Sequence, residues 1–582
     1  MRVFLDLKWF FIQERKSYLT GIVILLFVAL LQLIPPKIVG IVVDNVKNNN
    51  LTADQLMKWM VILMGSAVSM YGLRYVWRIM IFGSATKLSR LLRNRLYRHF
   101  TKMSPSFYQK KRVGDLMAHA TNDLQAIQQT AGSGVLTLVD SLATGGFVII
   151  AMAFTISWKL TLIALIPMPF MALLTNYYGT LLHKRFHKAQ EAFSSLNDKT
   201  QESVSGIKVV KTFGQEKEDI ESFKKESSDV VEKNMAVARV DSLFDPTISI
   251  IVGLSFLLSI VFGSRLVVNG ELTIGQLISF TTYLGLLIWP MLAFGWLFNI
   301  VERGRASYDR VASLLSEEVE IKEEEDAIPA IPAGDIEYRV NMFNYPAEEK
   351  SSLKNIHIMI EKGSTVGIVG KTGSGKTTLL RLLLREFEGY EGEILMAGHS
   401  IKEYKLSALR EAFGYVPQDH FLFSTTIFDN IAFANPQIDR CRVEEAARLA
   451  HIHDDIKDFT FGYETIVGER GVSLSGGQKQ RISIARALLM DPEVLLLDDS
   501  LSAVDAKTEE AILSSLRKNR NGKTTIITAH RLSAIQHADL IVVLDEGKIV
   551  ERGTHAELMA NKGKYREMYI RQQLEELVEH GG

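Results

Sequence analysis

Long apolar runs fill the chain up to residue 300 and then stop. The first spans 19–43 and carries GIVILLFVALLQLI ahead of Pro35 and Pro36. Others lie near 57–82, 136–156, 160–182, 248–268 and 274–300. Each is long enough to cross roughly 30 Å of hydrocarbon as a helix. Six such runs separated by polar loops predict an all-α membrane domain with six spans over residues 1–315. A charged, amphipathic lead precedes the first run and no small-residue cleavage site follows it. It is therefore expected to be a retained span, not a signal peptide.

Loop charge gives the expected orientation. Residues 87–112 carry Lys87, Arg90, Arg93, Arg95, Arg98, Lys102, Lys110, Lys111 and Arg112 without one acid, and 183–241 is lysine-rich. The opposite loops, 44–54, 157–159 and 269–273, are short. Positive charge marks the cytosolic side, which takes both long loops and both ends of the domain. Few Pro or Gly interrupt the long loops, so they should extend the membrane helices into the cytosol. Asp140, Arg74 and Arg78 fall near cytosolic ends of spans, and for Asp140 a structural ion pair is expected before a substrate contact. The sixth run holds Phe280, Tyr283, Trp289, Pro290, Phe294, Trp296 and Phe298. Pro290 should bend it, and its aromatics suit a greasy cavity or a lipid-facing surface alike. Pro167 and Pro169 leave the fourth run with the same ambiguity.

Composition narrows the classes. Lys+Arg and Asp+Glu both number 66, so no net basic field exists to gather nucleic acid, and none is expected as a partner. Cys441 is the single cysteine, which excludes an intrachain disulfide and any cysteine-built metal centre. An ordinary buried thiol is its expected state.

From Ser316 the chain reads SEEVEIKEEEDAIPAIPAG. Its acids, Pro329 and Pro332 predict a solvated linker over 316–334 with no partner assigned. Beyond it, over 335–582, short β-like runs alternate with helical ones, as in a mostly parallel α/β domain. Gly370, Lys371, Thr372, Gly373, Ser374, Gly375, Lys376 and Thr377 match a P-loop, after the β-like STVGIVG and before the helical TLLRLLLREF. Glycines let backbone N–H groups curl around phosphate oxygens, and the helix N-terminus, with Thr377 and Thr378, faces the same charge. Lys376 is expected to reach the β and γ phosphates and the Thr377 hydroxyl to ligate Mg²⁺. Downstream, VLLLDD is an apolar strand ending in Asp498 and Asp499. Asp498 is placed to hold magnesium, and Asp499 stands where a water-activating base would be.

Leu474, Ser475, Gly476, Gly477 and Gln478, followed by KQRISIARAL, resemble the signature of ATP-binding cassette (ABC) ATPases. The resemblance covers nearly the whole chain and implies further roles. Tyr345 looks like the aromatic that stacks on adenine. Gln418 resembles the residue linking magnesium and attacking water to the membrane domain. TIVGERG at 465–471 resembles the segment with which exporters sense their coupling helices. Asp505 matches the loop at the interface between nucleotide-binding domains, and His530 the switch histidine at the γ-phosphate. Gly114 with Asp115, and GIKVVKTFGQE at 206–216, resemble the coupling regions of the exporter fold. Six spans followed by one cassette look like a half-transporter of the ABC exporter type, with ATP and Mg²⁺ as cofactors. The chain most resembles one subunit of Gram-positive heterodimeric multidrug exporters, the BmrC/LmrC kind.

In that family the residue after the magnesium aspartate is normally glutamate, and here it is Asp499. The shorter carboxylate implies that this chain's own P-loop forms the weak ATP site, while Ser475 to Gln478 complete the competent site of a non-identical partner bearing the glutamate. The resemblance further implies ATP-driven export of amphipathic compounds across a bacterial plasma membrane, among membrane lipids. A homodimer tolerating Asp499, a lipid or lipid-linked-glycan flippase, a mainly regulatory ATP-binding subunit and an importer remain the alternatives.

Overall fold

A computed structural model describes residues 2–346, 351–468 and 474–580 (side chains of 172, 176, 294 and 575–580 excepted). The chain forms two compact units, Met1–Thr101 with Val113–Glu317, and Lys102–Arg112 with Glu318–Gly582.

The first unit is helical. Five stretches among the described residues are long and apolar enough to cross a membrane: Arg15–Lys47, Ala53–Phe100, Val113–Leu165, Glu216–Val268 and Ile274–Ser316. The expected run 160–182 is divided, with helix Trp158–Leu165 ending before Pro167 and helix Met168–Ser205 beginning after it. Pro290 acts in the same way. Its ring clashes with the carbonyl four residues back, and helix Ile274–Leu286 yields at Leu287 to Ile288–Ser316. At 48 residues, helix Ala53–Phe100 is about 72 Å long, more than twice the roughly 30 Å hydrocarbon layer. It thus runs well beyond the membrane.

Asp140 accepts a hydrogen bond from Thr144 at 3.1 Å. Among the described residues it makes no ion pair, so the expected structural pair is corrected to this hydrogen bond within its own helix. Among the aromatics, Phe280 and Tyr283 are buried while Trp289, Trp296 and Phe298 are exposed. The side chain of Phe294 lies outside the described residues. Two of the short loops are joined by Asp44, which accepts from Gly275 N at 2.8 Å and Thr273 Oγ1 at 2.6 Å.

The second unit holds two sheets. Strands β1 (Ile336–Phe343), β2 (Leu353–Ile360), β3 (Thr365–Gly370), β4 (Glu391–Met396) and β5 (His399–Ser400) come first. Then follow β6 (Phe413–Val416), β7 (Val494–Asp498), β8 (Thr524–Thr528), β9 (Leu540–Asp545) and β10 (Lys548–Gly553). An antiparallel sheet runs β2-β1-β4-β5, and a larger one runs β10-β9-β3-β8-β7-β6. In the larger sheet β9, β3, β8, β7 and β6 are parallel. Parallel strands are buried on both faces, and every residue of β7 and β8 is buried.

The acidic stretch after Ser316 is not a free linker, which corrects the expectation of a solvated segment without partners. Ile321 and Ala327 are buried, and Ile328 pairs with the 403–405 backbone through bonds of 2.8 and 2.9 Å. Arg385, 2% exposed, donates to Lys322 O at 3.2 Å and to Glu388 at 2.7 Å. Glu320 accepts from Ser104 at 2.6 Å, Ser106 at 2.7 Å and Lys110 at 3.3 Å. Those donors lie in the short segment Lys102–Arg112, which belongs to this unit. The expectation of a buried Cys441 is corrected too: it is exposed, because Val443, Ala446 and Ala447 form the buried face of helix Arg440–Leu449 and Cys441 lies off it.

Candidate active site

Asp498 stands opposite Thr528 in the β7–β8 register, and Gly370 ends β3 opposite Leu544. The carboxyl ends of the parallel strands therefore open on one edge, where α/β sheets gather ligands. The turn from β3 into helix Lys376–Leu383 is shaped by glycine. Gly373 has φ +78° and Gly375 φ +101°, a region that disfavours side chains. A Cβ on Gly375 would also lie 2.7 Å from Leu353 Cδ2 and 2.9 Å from Ser352 O. Thr372 is exposed on this loop, while Ser374 and Thr378 are buried.

Lys376 is buried and donates to Gly370 O at 2.8 Å and Lys371 O at 3.1 Å. Burial holds its ammonium below the usual lysine range, against the opposing pull of Asp499 and Asp498. An ammonium has three protons, so one remains for a ligand beyond the two carbonyls. Ser374 Oγ is likewise buried without a hydrogen-bond partner. Thr377 Oγ1 donates to Asp498 Oδ1 at 3.0 Å, and Thr528 Oγ1 donates to the same oxygen at 2.7 Å. Tyr415 OH reaches Asp498 Oδ2 at 3.3 Å. Its phenol is held well above the usual range by burial first and by Asp498 next. Together, a glycine turn leading into a helix N-terminus, one ammonium proton, two hydroxyls and a carboxylate form a set that fits a magnesium-bound phosphate.

Asp499 continues β7 with φ +46°. Its N–H donates to Thr528 O at 3.0 Å, and its Oδ1 accepts from His530 N at 3.4 Å. The carboxylate and the His530 backbone thus meet at this edge. Gln418 is exposed two residues beyond the end of β6, without a side-chain hydrogen bond among the described residues. Tyr345 is tied to the P-loop helix by its hydroxyl, 3.0 Å from Thr378 Oγ1, and its ring meets Phe387 edge-on at 5.0 Å.

The signature residues stand on a different element. Ser475 caps helix Gly476–Leu488 in a reciprocal box with Gln478, which also donates to Asp455 at 3.3 Å. A Cβ on Gly477 would come within 3.0 Å of Ala503 O, so this helix rests on the loop leading to Asp505. It packs on helices Ile427–Ile431 and Arg440–Leu449 and on β6, whereas the P-loop helix packs on β3 and β7. Within one chain, then, the signature residues and the P-loop stand on different elements. Asp505 caps helix Ala506–Asn519, accepting from Thr508 N at 3.0 Å. Of 465–471, residues 469–471 lie outside the described residues; Val467 N donates to Thr425 O at 2.9 Å. The two expected coupling regions contain short helices, Val113–Ala118 and Ile207–Thr212.

Two participants are not legible as motifs. Thr528 is only the last of three threonines in the strand TTIIT, and Tyr415 is signalled only by its place three residues ahead of Gln418.

A phosphate-binding edge in one unit and membrane-length helices in the other define a membrane transporter driven by nucleotide chemistry. Residues 18–291 match the family model of the ABC transporter transmembrane region, and 353–502 that of the ABC transporter domain. The probable multidrug resistance ABC transporter ATP-binding/permease protein YheI of Bacillus subtilis is 48% identical over 98% of this chain and 97% of its own. The multidrug resistance-like ATP-binding protein MdlA of Escherichia coli is 48% identical over 99% and 97%. Among solved structures, a bacterial Atm1-family ABC exporter with ATP bound superposes with a TM-score of 0.79. It is 27% identical, covering 96% of this chain and 99% of that one. The chain belongs to the ABC transporters, as an exporter with transmembrane and nucleotide-binding domains. It is a multi-pass membrane protein whose nucleotide-binding domain is cytosolic.

Proposed function

We propose that this chain exports amphipathic compounds across a bacterial plasma membrane, as a six-span half-transporter paired with a second, non-identical half. The carrying observation is the convergence of Lys376, Thr377 and Asp498 at one sheet edge, with Asp499 beside them. The glycine loop from Gly370 to Gly375, with Thr372, Ser374 and Thr378, cradles the ATP phosphates, Lys376 neutralises them, and Tyr345 stacks on the base. Thr377 and Asp498, with Gln418, hold magnesium, which when bound draws charge from the β and γ phosphates. Asp499 polarises the attacking water while His530 steadies the γ-phosphate. Ser475, Gly476, Gly477 and Gln478 act on the partner's nucleotide, consistent with their separation from this chain's own P-loop. ATP drives the cycle because it binds the clamped state better than the open one; equal affinity would shift nothing. The names of the relatives support a multidrug substrate range, and 335–582 serves as the cassette, with 1–315 carrying the path.

Aspartate at 499 makes this chain's own site the weak one. Its carboxylate stands about one C–C bond, roughly 1.5 Å, short of where glutamate would reach, and a general base must lie within hydrogen-bond distance of its water. ATP turnover by the purified chain in lipid tests this, beside Asp499→Glu and Lys376→Ala. A nearly inert wild type with an active Asp499→Glu is expected. Brisk turnover by the wild-type chain alone, lost in Lys376→Ala, would make it a working homodimer.

A further inference from the structure

Helix Lys564–His580 docks on the cassette core through Tyr565, which is fully buried, with Met568 and Tyr569 packed beside it. Gln572 comes next on that face, by the three- and four-residue spacing of a helix. Its side-chain amide donates through Nε2 to His530 O and accepts through Oε1 from Leu532 N at 2.9 Å. Arg531, between those two groups, is extended at φ −90° and ψ 123°. In extended backbone the carbonyl before a residue and the N–H after it face the same side. The Gln572 amide therefore takes the place a neighbouring strand would occupy. From the same segment, the Arg531 guanidinium donates to Val504 O at 3.3 Å and lies 3.7 Å from Glu509.

We propose that Gln572 is a positioning residue for His530, fixing the main chain on both sides of Arg531 so that the imidazole is presented to the γ-phosphate. The glutamine amide offers a donor and an acceptor on two separate atoms; a carboxylate offers acceptors alone and leucine offers neither. This role rests on His530 facing the γ-phosphate, as proposed above.

The test uses the full chain in lipid and a readout independent of turnover. Affinity is measured for the non-hydrolysable β,γ-imido analogue of ATP and for ADP, both with magnesium, in wild type, Gln572→Leu, Gln572→Glu, His530→Ala and the double variant His530→Ala with Gln572→Leu. Loss of a positioned hydrogen bond should weaken the analogue about fivefold in both Gln572 variants. ADP, which lacks the γ-phosphate, should change less than twofold. In the His530→Ala background, Gln572→Leu should add less than twofold, because both act through one contact. Equal losses for the analogue and ADP would make Gln572 merely structural and overturn the proposal, as would a full further loss in the double variant. If His530→Ala weakens the analogue while both Gln572 variants match wild type, the positioning role fails and that of His530 stands. If His530→Ala changes neither nucleotide, both roles fall together. Gln572→Glu is nearly isosteric, so it reports even where Gln572→Leu unfolds.

Discussion

Replacing Glu320 by alanine removes one carboxylate from three donors and should loosen the segment Lys102–Arg112 on the cassette. Ser104 and Ser106 are 3% and 1% exposed, so their hydroxyls depend on protein partners. The Glu320 side chain is 44% exposed and that of Lys110 50%. A hydrogen bond to a charged group contributes about 1.5–3 kcal/mol when buried. Solvent screening of this half-exposed acceptor brings each hydroxyl bond to about 1 kcal/mol, and the Lys110 pair to less. The sum is about 2 kcal/mol, or roughly 30-fold in the local opening equilibrium. Hydrogen exchange on the full chain, read on a peptide covering 103–109, should accelerate by that factor. Glu320→Gln keeps an acceptor and should accelerate it only a few-fold. An alanine variant exchanging within threefold of wild type would refute the clamp.

The pH dependence of the same clamp has a definite sign. Burial raises the Glu320 carboxyl, but the Ser104 and Ser106 hydroxyls and Lys110 lower it, and the lowering wins. A folded pKa below the unfolded value gives stability that is complete above the ordinary value of about 4.3. It is lost as pH falls through the lower folded value. Protection of 103–109, corrected for intrinsic exchange, should therefore hold at neutral pH and fall under acid conditions in wild type more than in Glu320→Ala.

Three further outcomes follow from the nucleotide edge. Gly375→Ala forces a side chain into the left-handed region and against Leu353 and Ser352; ATP-analogue binding should be lost by equilibrium titration while helical content stays near wild type. Thr528→Val keeps the shape but removes the 2.7 Å donor to buried Asp498. It should cost about 2 kcal/mol and lower the cassette melting temperature by about 4–8 °C, read by calorimetry. Asp499→Glu should raise ATP turnover of the chain alone by at least tenfold, measured as phosphate release.

What was legible in the sequence depended on how local its cause is. The spans, the P-loop and the Asp498 strand each carry their pattern within one short window, and the structure gives them helices, a glycine turn and a buried strand. The 316–334 stretch misleads because its acids dominate the composition, while the residues that hold it down, Ile321, Ala327 and Ile328, are spaced among them. The partners of Glu320 are more than 200 positions away. Thr528 and Tyr415 reach Asp498 only because β8 and β6 flank β7, an order that a single chain does not spell out. Gln572 looks like one more polar residue on a charged helix until the buried positions of Tyr565, Met568 and Tyr569 fix which face it shares.

The backbone at Asp499 bears on what a longer carboxylate would change there. Its N–H is held by both the carbonyl and the hydroxyl of Thr528, each at 3.0 Å. Those bonds belong to the main chain and to Thr528, so they survive any side chain at 499. Aspartate suits φ +46° because a short polar group bonds locally in this region, here to His530 N. Glutamate forgoes part of that preference, a penalty of about 2 kcal/mol at most. A hundredfold gain in turnover from restored reach would correspond to about 2.7 kcal/mol off the barrier. The gain exceeds the penalty, so the longer carboxylate should register as recovered activity. The main-chain frame at this edge is held by Thr528 whatever the side chain at 499, so Asp499→Glu changes only the length of the carboxylate arm.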